Sequence, residues 1–368
     1  MNRKMKFRKI LMYIDMMSHG GAQQVMRNLA DHFATEKIEV VLVNDFRLDE
    51  NEAQYRLNKN IKRLYLRHTN SGNVVVKNFE RVAALRRIVK KEMPDIVLSF
   101  LGRPNQRMLI ATIGLKPKKI VSVRNDPQKE YGKSWFKRCL ARSLFRLADG
   151  CVFQTEEAKR YFSHSVQNRS EVIVNPVNEQ FYSVKRNLYT RDIVSIGRLE
   201  PQKNNALLIY AFADLANKYK DQNVIFYGDG SLKETLLQLV KEKHLDKRIY
   251  FAGDTDNVPN ILKKCNLFVL SSDYEGMPNA LMEAMAVGVP CISTDCPCGG
   301  PKELIKNGEE GLLVPTGNIE EMKKAIDTIL SNEKKRVELG NKAYVKAKEF
   351  RGEKVFVLWE NYFNKIME

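Results

Sequence analysis

Two consecutive doubly wound, Rossmann-like α/β domains are the fold this 368-residue sequence predicts, and three observations predict it. Short β-branched or apolar runs alternate with segments of helical period, the βαβ rhythm that builds a parallel sheet covered by helices on both faces. The rhythm breaks once, over the polar stretch VNEQFYSVKRNLYTR at 177–191, and then restarts. The length suits two domains with a core each, and 43% apolar with 29% charged residues is ordinary for a soluble globular chain.

In chain order the first half runs KILMYIDMM, the helix GGAQQVMRNLADHFA, IEVVLVND, the helix VAALRRIVKKEM, then PDIVLSF, KIVSVRND, GCVFQT and SEVIVNP. The second half runs DIVSIGRL, the helix ALLIYAFADLANKY, NVIFYGDG, the helix TLLQLVKEKH, then RIYFAG, NLFVLSS and PCIST. The boundary is expected near residue 185, giving domains 1–185 and 186–350. The aromatic, amphipathic tail 351–368 either caps the second domain or crosses back to the first. Open α/β sheets take ligands beyond the carboxyl ends of their strands, so the expected site lies in a cleft between the halves.

Several classes are disfavoured. The longest apolar runs are strand-sized, far short of the roughly 20 residues a membrane-spanning helix needs. Asp15 interrupts the basic and then apolar N-terminus, and no small-residue cleavage site follows, so this segment reads as a strand rather than a signal peptide. Six cysteines in a long chain of this kind read as reduced thiols and point to the cytoplasm. The +17 charge is one-sided: residues 1–185 hold 35 Lys+Arg against 18 Asp+Glu, and the remainder 26 against 26. Such a field faces nucleic acid or an anionic membrane.

Three motifs carry candidate chemistry. In EGMPNALMEAMAVGVP (275–290), Gly276 and Pro278 enforce a tight loop before a run of strong helix formers, with Asn279 the expected N-cap. Glu283 then lies in the first helical turn and Glu275 in the loop before it. Local pattern leaves two readings open: both acids approach one ligand at a helix N-terminus, or Glu283 complements the helix dipole and Glu275 is solvated. In GRLEPQKN (197–204), Arg198 and Lys203 emerge at a strand's carboxyl end, a fork and a point charge that suit a diphosphate, unless they are ordinary surface cations. In SHGGAQQVMRNLA, Gly20 and Gly21 form a turn whose backbone can approach a ligand, yet it lacks a Walker or full dinucleotide fingerprint.

Together with CGGPKELI (298–305) and NGEEGLLV (307–314), these motifs resemble the family-4 retaining glycosyltransferases of the GT-B fold. The resemblance covers most of the second domain and the start of the first. It implies that Arg198 and Lys203 hold the diphosphate of a nucleotide-sugar donor, that Glu283 binds its ribose, and that Glu275 contacts the donor hexose. It also implies that the backbone of Gly276, Met277, Pro278, Asn279, Ala280 and Leu281, through the N–H groups of all but the proline, completes the cradle with Gly20 and Gly21. VRNDP (123–127) is similar to members that build bacterial capsule, lipopolysaccharide or exopolysaccharide, with a UDP-sugar as expected donor and a glycan or polyprenyl-diphosphate-linked acceptor. Two departures stand out. Arg124, Asn125 and Asp126 stand where many relatives have a donor-contacting His, and Gln23 stands where a Glu is frequent.

No metal cofactor is expected. The DTD triplet at 254–256 reads as a loop or helix cap, and Cys291, Cys296 and Cys298 lack companions at ligand spacing. The segment KSWFKRCLARSLFRLADG interleaves Trp135, Phe136, Leu140, Leu144 and Phe145 with Lys137, Arg138, Arg142 and Arg146. It reads either as an interfacial helix on the anionic cytoplasmic leaflet or as a core helix with a solvated basic face. The alternatives to a transferase are a nucleotide-sugar epimerase on the same scaffold and a nucleic-acid-binding protein. The scatter of basic residues through the βαβ units counts against the latter, and no nucleic-acid partner is expected.

Overall fold

The computed structural model describes residues 5–18, 20–47, 56–66, 73–132, 134–184, 186 and 191–368. The chain divides into two compact units, one of residues up to Pro176 together with Glu353–Glu368, the other Val177–Gly352.

The first unit is a parallel sheet of β1 (Lys9–Tyr13), β2 (Glu39–Asn44), β3 (Lys62–Tyr65), β4 (Ile96–Phe100), β5 (Lys118–Ser122), β6 (Gly150–Phe153) and β7 (Ser170–Val172). Their order is β3-β2-β1-β4-β5-β6-β7, and Leu11 of β1 stands opposite Val41 and Val97. The helices used below are α1 (Gly21–Thr35), α2 (Val74–Glu92), α3 (Gly102–Ala111) and α4 (Trp135–Phe145). The central strands are buried on both faces, which is why they read as continuous apolar runs instead of alternating. The sequence reading does not foresee β3: KRLY carries two charges in four residues, and its pairing with β2 makes it a strand.

The C-terminal helix Gly352–Met367 belongs, from Glu353 onward, to the first unit. It inserts Val355, Trp359, Tyr362 and Phe363 into the core formed with Phe33, Leu42, Leu98 and Phe100. Each of these burials is worth on the order of 2 kcal/mol. Tyr362 secures the contact by accepting the Cys151 N–H at 2.7 Å and donating to the Arg169 carbonyl at 2.6 Å.

The second unit is a parallel sheet of β8 (Asp192–Ile196), β9 (Asn223–Tyr227), β10 (Ile249–Gly253), β11 (Cys265–Leu270), β12 (Cys291–Asp295) and β13 (Leu312–Pro315) in the order β10-β9-β8-β11-β12-β13. Helix α5 (Asn279–Val287) follows β11. The break between the units falls at Pro176, ahead of residue 185, because the segment just after it packs within the second unit. Phe181 is buried, Tyr182 donates to the Ala347 carbonyl at 2.6 Å, and the Val177 N–H donates to the Phe350 carbonyl at 2.8 Å. Lys185 itself lies outside the described residues. Among the described residues no helix is long and apolar enough to cross a membrane.

Candidate active site

The strand order of the second sheet reverses between β8 and β11, so the loops leaving these two strands adjoin at its carboxyl edge. That crevice is where open α/β sheets bind ligands. The loop after β8 carries Gly197 and Arg198, tightens into the 3₁₀ turn Pro201–Lys203 and exits through Asn204 in a left-handed conformation (φ 42°). The loop after β11 runs from Ser271 to Pro278. Three bonds stitch the two together: Ser271 Oγ donates to the Lys203 carbonyl at 2.9 Å, the Asp273 N–H to the Gln202 carbonyl at 2.9 Å, and Asn204 Nδ2 to Asp273 Oδ1 at 2.8 Å.

This framework brings Lys203 onto Glu275. The ammonium Nζ donates to Glu275 Oε1 at 2.5 Å, and Ser272 Oγ donates to the same oxygen at 2.7 Å. Gln202 Nε2 approaches Oε2 at 3.5 Å while bonding the Tyr274 carbonyl at 2.9 Å. Glu275 is only 6% exposed. A carboxylate this deep is tolerated because a cation and a hydroxyl compensate its lost hydration. The solvated reading of Glu275 is therefore excluded. Nearby, burial and then the Glu275 charge push the Cys296 thiol up to about 12, so it stays protonated. Ser272 and Gln202 were not singled out from sequence; the only available signal was a hydroxyl pair at the end of an apolar strand.

Helix α5 begins one residue earlier than its pattern predicts. Pro278 is the N-cap and Asn279 the first helical residue, so Glu283 falls beyond the first turn and does not complement the dipole there. Proline fits this place because a cap needs no N–H of its own. The first helix-type bond runs from the Met282 N–H to the Pro278 carbonyl, leaving the N–H groups ahead of it without acceptors inside the helix. Glu283 is buried, as are Gly276, Met277, Pro278 and Leu281, whereas Asn279 and Ala280 are half-buried. A Cβ on Gly300 would stand 1.6 Å from the Gly276 carbonyl oxygen, so only glycine lets the CGG loop close on the Glu275 loop. On the other side, a Cβ on Gly228 would stand 2.2 Å from the Gly197 carbonyl oxygen.

Arg198 is exposed at the same edge. Gly20 and Gly21 lie in the first unit, as N-cap and first residue of α1, with the Gln23 side chain folded back over Gly20. His19, which opens the HGGAQ motif, lies outside the described residues. Among the described residues no group of three or more His, Cys, Asp or Glu is arranged to hold a metal ion. All six cysteines are free thiols, five of them buried.

Two family models match this chain: Glycosyl transferases group 1 over residues 178–346 and Glycosyltransferase Family 4 over residues 19–181. Over 269 residues, 70% of this chain and 72% of the other, it is 32% identical to the N-acetylgalactosamine-N,N'-diacetylbacillosaminyl-diphospho-undecaprenol 4-alpha-N-acetylgalactosaminyltransferase of Campylobacter jejuni. The chain belongs to the family-4 glycosyltransferases. This glycosyltransferase is also 29% identical over 352 residues, 93% of its length and 94% of the other's, to a second C. jejuni enzyme, an alpha-1,4-N-acetyl-D-galactosaminyltransferase whose name specifies an undecaprenol-diphosphate-linked glycan. Its fold is that of the Anabaena protein HepE, solved with UDP and glucose, at a TM-score of 0.80 and 17% identity over 96% of this chain and 98% of that one. The glycosyltransferase is thus an enzyme of the GT-B architecture, and the epimerase alternative is not supported.

Proposed function

We propose that this glycosyltransferase moves a hexose or N-acetylhexosamine from a UDP-sugar, with retention, onto a glycan or lipid-linked acceptor in the synthesis of a bacterial surface polysaccharide. The observation that carries the reading is the Lys203–Glu275 contact at the switch point of the second sheet. It sets a cation and an acid side by side where a sugar diphosphate would be recognised. In the reaction the acceptor hydroxyl attacks the anomeric carbon on the face from which UDP departs. The carbon–oxygen bond to the diphosphate breaks, and the leaving phosphate oxygen takes the hydroxyl proton. Most of the barrier is charge build-up on that diphosphate, which Lys203 and the first N–H groups of α5 are suited to stabilise, while Arg198 would hold the diphosphate in ground and transition state alike. Glu275 would orient the hexose and Glu283 hold the ribose. The same cations remove the need for a metal. The test is release of UDP from UDP-sugars in EDTA, with and without acceptor; release that ignores the acceptor, or that EDTA abolishes, overturns this reading.

Arg198 serves binding more than chemistry in this scheme. Arg198→Ala is expected to raise the KM for the donor about tenfold while leaving thermal stability unchanged, since an exposed side chain contributes little to the core. An unaltered donor KM would remove it from the site.

We also infer that the protein works on the cytoplasmic face of the membrane. A core helix would bury its aromatic residues, but in α4 Trp135 is 77%, Phe136 68% and Leu140 47% exposed, and only Ala141 and Phe145 are fully buried. Lys137, Arg142 and Arg146 are exposed beside them, and Arg138 is half-buried. Aromatic anchors among cations suit anionic lipid. The double variant Trp135→Ala/Phe136→Ala should lose flotation with phosphatidylglycerol vesicles and keep turnover of a water-soluble acceptor. Flotation that is equal on neutral vesicles, or unaffected by the substitutions, counts against docking through α4.

A further inference from the structure

The strand order of the first sheet also reverses, between β1 and β4, and the chain leaves β4 there in a strained conformation. Leu101, the N-cap of α3, has φ 74° and ψ 154°, a region nearly exclusive to glycine. A residue stays in such a conformation only where its surroundings hold it, and such positions gather at functional sites. One bond fixes the residue that follows. Glu130, the last residue of the short helix Pro127–Glu130 after β5, accepts the Gly102 N–H on Oε1 at 2.6 Å. A Cβ on Gly102 would stand 2.9 Å from Glu130 Cγ and 3.1 Å from Tyr131 Cε1, so the glycine is what admits this carboxyl.

The other oxygen, Oε2, is shut off from solvent without a hydrogen-bond partner. Arg124, the cation that acts on Glu130, is committed elsewhere: it donates Nη2 to Asn175 Oδ1 at 2.9 Å and Nη1 to Ser122 Oγ at 3.3 Å, and it lies over the Phe100 ring. Asp126 acts on Glu130 from the same loop, the Tyr131 hydroxyl stands beside it, and from α3 it meets the Gly102 amide. Lys129, Glu157 and Arg138 of α4 act on Asp126 instead. Burial raises the Glu130 pKa most and the Asp126 charge adds to it, while the Gly102 bond and Arg124 offset only part, which leaves it at about 7. An N–H bond to an ionised carboxylate is roughly twice as strong as one to a neutral carboxyl. The grip on Gly102 therefore tightens as Glu130 gives up its proton.

We propose that Glu130 is a positioning residue of the transfer reaction, holding the β4–α3 loop in the shape the acceptor meets, firmly when ionised and loosely when protonated. This rests on the reading that the second unit takes the donor, which leaves the switch point of the first to the acceptor. Stability runs the other way. Folding raises this pKa, so the group's stabilising contribution is complete below 4.5, the ordinary glutamate value, and is lost as pH rises through about 7.

The experiment is hydrogen exchange at single-amide resolution on the full chain between about pH 6 and 8, beside pH profiles of transfer to the acceptor that the UDP-release assay identifies. After correction for the chemical rate, the Gly102 amide should gain roughly tenfold protection across that range, the change in ionised fraction of one group titrating near 7. Glu130→Gln should flatten that profile, lower kcat/KM for the acceptor roughly tenfold at the alkaline end and leave donor KM unchanged. Its melting temperature should rise relative to the parent as pH increases. Gly102→Ala, which displaces the carboxyl without removing it, should lower acceptor kcat/KM as Glu130→Gln does, and Asp126→Asn should keep both profiles. Exchange at Gly102 that ignores Glu130→Gln, or a flattened exchange profile with the acceptor profile intact, overturns the proposal. If no acceptor stimulates UDP release, the transfer reading fails instead, and the exchange profile still decides whether Glu130 holds the loop.

Discussion

Lys203→Ala will lower kcat/KM for sugar transfer by about three orders of magnitude, the most severe single effect expected in this enzyme. The lysine has two tasks. In the proposed reaction it supplies positive charge for the departing diphosphate, a contribution for which one lost donor typically costs about 10²–10³ in rate. It also fixes Glu275, whose carboxylate would be left with Ser272 and a distant Gln202 amide. Removing one partner of a mostly buried pair destabilises a protein by up to about 3–5 kcal/mol, so the variant should also melt earlier. Steady-state kinetics on the folded variant, followed by a UDP thermal-shift titration, check this. Normal turnover, or normal UDP affinity, would take Lys203 out of the donor site. The double variant Lys203→Ala/Glu275→Gln should recover stability, since no unpaired charge remains buried, and should not recover activity.

Glu275→Gln is expected to lower kcat about 10²–10³-fold with donor KM changed little. The amide keeps the volume and still accepts from Ser272, but it loses the charge that holds Lys203 and that, in the proposed reaction, orients the hexose. UDP binding therefore persists in this variant, whereas it weakens in Lys203→Ala. That contrast separates the sugar end of the site from the diphosphate end. A variant whose UDP affinity falls as far as its kcat would mean that Glu275 acts only as a structural partner of the lysine.

The architecture was largely legible because doubly buried parallel strands and amphipathic helices leave periods of their own in a sequence. Residues 275 and 203 were also legible as candidates, since each stands just past a strand. Their contact was not. They are 72 positions apart, and nothing but the adjacency of β8 and β11, a property of strand order, brings them together. Ser272 and Gln202 went unnoticed for the same reason. Asn279 misled because asparagine is a favoured cap, yet the preceding proline already had the extended backbone that a cap requires (ψ 106°). The pattern of α4 could not separate core from interface, because both demand an apolar stripe beside a basic one. Exposure of Trp135 and Phe136 is a tertiary fact. The boundary at Pro176 escaped because a polar stretch looks like a linker whether or not it packs.

The placement of the last helix has a consequence for how the chain comes to be folded. Translation delivers residues 1–176 first, but the pocket that Val355, Trp359, Tyr362 and Phe363 fill stays open until residues 353–368 have been made. The second unit is continuous in sequence and can close beforehand. Birth order and completion order are therefore reversed: the half that emerges first is finished last, and until then its unfilled core is what a chaperone would meet at the ribosome.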